Sequence, residues 1–171
     1  MFAGPVVAAL DRQHQRGLFD VHGLLSNEGI DDGLRAAFVV YLVGHHRPIE
    51  RLLAPTRRDL REEFERGLTG MMEVPVALDV LVQTREELVA EIVGRMPDPH
   101  REFLCSIAGG KPKWSLLEVP NVSSLPAVEW RMRKLAQLDE MERSAMVQRV
   151  EAALMDKTAR GAIRVSTGFR G

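Results

Sequence analysis

The stretch DDGLRAAFVVYLVG, residues 31–44, decides the fold class. Asp31 and Asp32 suit a helix start, because a carboxylate accepts hydrogen bonds from the amides that a first turn leaves without partners. Behind them Leu34, Ala37, Phe38, Tyr41 and Leu42 follow one another at the i, i+3, i+4, i+7, i+8 spacing of a single buried helical face. Gly44 and Pro48 predict the stop. The same period extends in both directions. Upstream, Val6 to Leu25 reads as an apolar helix running into Arg16-Gly17-Leu18-Phe19-Asp20. Downstream, Thr56 with Asp59 three residues on resembles a capping box, opening a helix with Leu60, Phe64 and Leu68 on one face and Gly70 after it.

From Val76 to Met96 the stripe Leu78, Leu81, Val82, Leu88, Ile92 and Val93 is again helical, with a possible break at Thr84 and Glu87, which form a box inside it. The run from Val76 to Val82 is also apolar enough for a short strand. Asp98-Pro99 predicts a helix start, since proline in the first turn loses no needed donor, and Gly109-Gly110 predicts its end. Lys111 to Ser123 is irregular, with two prolines and Trp114. Pro126 opens a helix with Val128, Met132, Leu135 and Leu138 on one side, and a last helix carries Met146, Val147, Val150, Ala153 and Leu154. No fixed-period repeat occurs. The expected fold is a mainly α helical bundle of six to seven helices with little or no sheet. One domain spans residues 1–156, and residues 157–171, basic and without acid, read as a disordered tail.

With 171 residues and 45% apolar content, the chain can build a core without disulfides. Its 23 basic and 24 acidic residues give no global footprint of a nucleic-acid binder, so any RNA contact must come from a local patch. The one cysteine, Cys105, in an apolar context without an electropositive activator, reads as a small buried hydrophobe in a reducing compartment. The N-terminus lacks a basic leader, and its apolar run is cut at Asp11, which predicts a cytoplasmic protein with no membrane partner.

Five ordered blocks carry a resemblance: AGPVVAALDRQHQRGLFDVHGLL (3–25), HHRPIERLLAP (45–55), GLTGMMEVPV (67–76), REFLCSIAGGKPKWSLL (101–117) and LPAVEWRMRKLAQL (125–138). Together they resemble the C-terminal part of the nucleotidyl transferase AbiEii/AbiGii toxin family, the toxins of type IV toxin–antitoxin and abortive-infection systems. The resemblance implies that an N-terminal nucleotidyltransferase core supplies a Gly-Ser motif and two metal-binding aspartates, while the helical half adds a Lys and an Arg-Asp-x-x-Asp motif. It implies transfer of a nucleotide from a nucleoside triphosphate with Mg²⁺, in some members onto transfer RNA. It also implies, as partner, the missing N-terminal half or a cognate antitoxin. For this chain alone no cofactor is expected.

The departures fall on the charged positions. Pro5 stands where the family has Lys, and Gly17 replaces the first aspartate of the motif. Arg16 and Asp20 remain as the candidate catalytic pair, four residues apart on one helical face, where an ion pair is the structural alternative. On the Pro126 helix Arg131, Arg133 and Lys134 cluster with Trp130, a composition that grips phosphates and stacks a base. The alternative is that Trp130 anchors the helix in the core; Trp114 is expected to close over the core edge. His45 and His46, read as pointing to different sides of a helix end with no Cys or Glu at ligand spacing, predict no metal.

Two functional readings follow: the C-terminal portion of a nucleotidyltransferase toxin, or a catalytically incompetent helical interaction module that binds a protein partner or RNA. Both predict an exposed apolar patch around Val6, Val7, Leu10, Phe19 and the neighbouring helix, where the other half would dock.

Overall fold

The computed structural model describes residues 2–67 and 76–156, and all regular structure among them is helical. The helices are α1 (Ala3–Arg12), α2 (Gln15–Asn27), α3 (Asp32–Gly44), α4 (Ile49–Leu53), α5 (Arg61–Gly67), α6 (Leu78–Val89), α7 (Asp98–Ala108), α8 (Pro126–Ala136) and α9 (Glu140–Leu154). A π-helical turn, Ala90–Gly94, continues α6, and 3₁₀ turns lie at Trp114–Leu116 and Val122–Ser124. The mainly α expectation holds, with nine α-helices among the described residues in place of six to seven. Residues 157–171 and most of the block 67–76, including Leu68 and Gly70, lie outside the described residues.

α3 forms as its caps predict: the Asp31 carboxylate accepts a hydrogen bond from the Leu34 amide at 2.6 Å. It is the centre of the bundle, packed against α1, α4, α7 and α8. Phe38, Val39, Leu42 and Val43 are fully buried, whereas Tyr41 is 55% exposed and lies over Gly4 of α1, so the buried stripe is rotated away from the expected one. Buried apolar side chains from Val6 to Leu154 form one contiguous core. The ends of α7 and α9 are equally local in origin. Gly110, at φ +74°, closes α7 with Gly110 N–H on Ile107 and Lys111 N–H on Ser106, a Schellman end that needs a residue without Cβ strain. Asp139 and Glu142 cap α9 reciprocally, at 2.8 and 2.9 Å.

The expected single helix from Val6 to Leu25 is split. Gln13 adopts a left-handed conformation, φ 52° and ψ 34°, and its side chain is buried. Its amide donates to the Thr56 carbonyl at 2.7 Å and accepts from the Arg58 amide and the Arg85 guanidinium, each at 3.1 Å. One side chain thus serves as a partner for backbone that no helix satisfies. That explains a second departure: the segment after Pro55 stays without regular structure, and α5 begins only at Arg61, whose amide is capped by Asp59 and not by Thr56. Thr84 does not break α6, because its hydroxyl donates back to the Val80 carbonyl at 2.7 Å. Residues 78–82 are helical, so the strand alternative fails there.

Arginines fasten several helix ends. Arg101 donates to the Val93 and Gly94 carbonyls at the end of the π turn, to Met96 just beyond it and, at 2.7 Å, to Leu154 at the end of α9. Arg35 donates to the Glu91 and Ile30 carbonyls. Arg131 donates from α8 to Val43, His45 and Arg47 at the end of α3. Carbonyls left over by a last turn attract cations, and a guanidinium satisfies several at once.

The expected apolar docking patch is overturned for three of the four residues named for it. Val6, Val7 and Leu10 are 0%, 2% and 1% exposed, because α2, α3 and α4 all pack on α1. Phe19 alone, 36% exposed, stays at the surface.

Candidate functional site

On α2 the inward positions are Leu18, Val21 and Leu24, and Arg16, Phe19 and Asp20 are exposed on the opposite side. No ion pair joins Arg16 to Asp20 among the described residues. Gly17 lies between them, where an added Cβ would meet Ala9 at an ordinary 3.8 Å. Behind this face His22 Nδ1 is 3.2 Å from the Thr84 hydroxyl, whose proton goes to Val80. His22 is therefore the donor and orients α2 on α6.

The α8 cluster is divided. Arg131 is buried and its guanidinium is occupied by three carbonyls, so it leaves the expected phosphate-binding group. Burial also lowers its pKa, against an opposing pull from Glu50. Arg133 and Lys134 remain exposed. Trp130 is 48% exposed, which corrects its reading as a core anchor, and the Lys134 ammonium lies 5.6 Å from its ring centre. Arg133 pairs with Glu129 at 3.4 Å. Trp114 does close over the core edge, against Phe103 at 5.7 Å. The two expected sites sit on helices with different neighbours, α2 on α1 and α6, α8 on α3.

A third constellation was not legible in the sequence. The chain leaves α3 extended at His45, φ −75° and ψ 148°, so His45 and His46 do not diverge as residues on a helix end would. Their rings stack with centroids 4.3 Å apart. Asp11, from the last turn of α1, joins them, and one donor atom from each of the three residues lies within 4.8 Å of the others. Arg47 reaches Asp11 Oδ1 at 3.0 Å, and its backbone N–H donates to His45 Nδ1 at 3.2 Å. His45 titrates below the usual histidine range. Burial is the main cause, with His46, Arg131 and Arg47 adding to it and Asp11 opposing. Beside the cluster runs a cleft of about 410 Å³ whose polar lining is Asp11, Gln13, Arg47, Arg51, Thr56 and Arg58.

Cys105 is half-buried, and burial, with Glu151 and Glu102 nearby, pushes its thiol up, away from the reactive thiolate. No helix among the described residues is long and apolar enough to cross a membrane.

The Mg²⁺ implied by the family resemblance does not fit these residues. Mg²⁺ takes oxygen donors, whereas the carboxylate of Asp11 is accompanied by two imidazoles, and exposed Asp20 belongs to no group of three donors among the described residues. Comparison of the chain with family models, curated proteins and solved structures gives no match.

Proposed function

We propose that this chain supplies the helical C-terminal portion of a nucleotidyltransferase toxin of the AbiEii/AbiGii kind, acting in the cytoplasm, whose complete form transfers a nucleotide to RNA. The observation that carries the reading is the disposition of the Arg16-Gly17-Leu18-Phe19-Asp20 segment on α2. Its apolar Leu18 is buried, and its two remaining charged residues and Phe19 face outward together. That placement leaves both charged groups, with Phe19 beside them, open to contact with another surface.

In this reading the Gly-Ser motif and the aspartate pair that hold Mg²⁺ and the triphosphate come from a nucleotidyltransferase core outside these residues, either an upstream part of a longer chain or a separate one. The core would cover the Phe19 face. Arg16 and Asp20 would then enter the cleft wall, where a cation steadies phosphates and a carboxylate orients an attacking hydroxyl.

The second reading, a non-catalytic module for a cognate antitoxin or an RNA, is favoured by Pro5 and Gly17, which remove a cation and a carboxylate from that wall. One assay separates them: labelled nucleoside triphosphates, Mg²⁺ and total transfer RNA, with the chain alone, with an AbiEii-type core added, and with the core plus a Pro5→Lys/Gly17→Asp variant. The first reading expects no label from the chain alone and incorporation when the core is added, increased by the variant. Failure of both forms of the chain to raise incorporation above the core alone favours the second.

A further inference from the structure

We propose that Asp11, His45 and His46 form a binding site for a borderline divalent transition-metal ion of the zinc kind. Two independent features of the fold converge there. The first is the backbone: successive residues on a helix diverge by about 100°, but the chain is extended after α3, and the two imidazoles are stacked 4.3 Å apart. The second is a carboxylate from another element, Asp11 of α1, brought to the same place by α1–α3 packing.

The spacing suits closure around an ion. Donors 2.0–2.1 Å from a tetrahedral zinc lie roughly 3.3 Å apart, so atoms within 4.8 Å of each other need at most about 1.5 Å of closure. His46 is exposed, His45 is half-buried, and the Asp11 side chain is mostly buried. Asp11 is steadied by Arg47 at one oxygen, which leaves the other for a metal. Two nitrogens and one carboxylate select zinc, nickel or copper over magnesium or calcium. Three protein ligands leave a fourth position for water or an external ligand. Asp11 and Arg47 are shared with the cleft that Arg51 and Arg58 also line, so that ligand would be an anion. Arg47 and Arg131 lie nearby and oppose a cation, which weakens its binding.

The test is calorimetric titration of the full chain, freed of metal with a chelator, with zinc chloride. One ion per chain at micromolar Kd is expected. His46→Ala, at an exposed position that leaves the fold intact by circular dichroism, weakens binding at least tenfold. His14→Ala, a control at the exposed histidine that contacts Glu63, leaves it unchanged. Arg47→Met releases Asp11 and tightens binding. Substitution of Co²⁺ for Zn²⁺ gives the strong visible absorption of a low-coordinate N/O site in the wild type and loses it in His46→Ala. Absence of binding, equal binding by His46→Ala, or binding that Arg47→Met leaves unchanged or weakens would each overturn the site.

Discussion

Replacing Arg131 by methionine isolates the fastening of α3 by α8. The substitution keeps most of the aliphatic length and removes three charge-assisted hydrogen bonds, to Val43, His45 and Arg47. A hydrogen bond to a charged group contributes about 1.5–3 kcal/mol, and a carbonyl left buried without a donor costs about 1–3 kcal/mol. The gross sum is reduced because the guanidinium no longer has to be desolvated, the same burial that lowers its pKa. The expected net loss is about 2–4 kcal/mol. With a urea m-value of roughly 2 kcal/mol per molar, the midpoint should fall by about 1–2 M with the slope unchanged. Arg133→Met and Lys134→Met, on the exposed side of the same helix, should stay within about 0.5 kcal/mol of the wild type. A midpoint for Arg131→Met indistinguishable from theirs would refute the assignment of Arg131 as a structural clamp.

Gln13→Gly relieves the left-handed backbone but removes the amide that joins α1 to the 55–60 segment and Arg85, so a loss of about 1–3 kcal/mol is expected by urea unfolding; a gain in stability would show that backbone strain dominates. Burial pushes the Glu86 carboxyl up, but hydrogen bonds and charges from Arg57 and Arg85 more than reverse this and hold it below the usual glutamate range. The unfolded chain then binds that proton first, so the stability it contributes is present above the ordinary glutamate pKa and is lost as pH falls through the lower folded value. Glu86→Gln should therefore flatten the acid side of the stability–pH profile below about pH 5, and an unchanged slope there would contradict the Arg57–Glu86–Arg85 arrangement. Phe19→Ser should leave the stability measured by urea unfolding within about 0.5 kcal/mol of the wild type; a large loss of stability would mean that Phe19 is a packing residue.

Much of the bundle was legible because its helices carry their own punctuation. Asp31 before α3, Pro99 within the first turn of α7, Gly109-Gly110 after it and Pro126 at the start of α8 act through neighbours within a few residues, so a local pattern contains the information. The break at Gln13 and the delayed start of α5 depend on partners as far away as Arg85, and no window contains both ends of those bonds. The same distance hid the Asp11–His45–His46 cluster, together with the assumption that His45 and His46 continue a helical geometry. For Arg131 a signal was present: Val128, Arg131 and Leu135 fall at i, i+3 and i+7, which places the arginine on the buried stripe. Composition drew it into the neighbouring cationic group, where only Arg133 and Lys134 belong. The surfaces of α1 were misread for the opposite reason: apolar side chains expected to await another domain found partners on α2, α3 and α4.

The most direct test of the proposed division of labour is calorimetric titration of this chain with a nucleoside triphosphate in the presence of Mg²⁺. A helical portion that leaves the magnesium-binding aspartates to another core should give no saturable binding at micromolar concentration. Micromolar binding that disappears in Asp20→Ala would place the catalytic charge within these residues and contradict it.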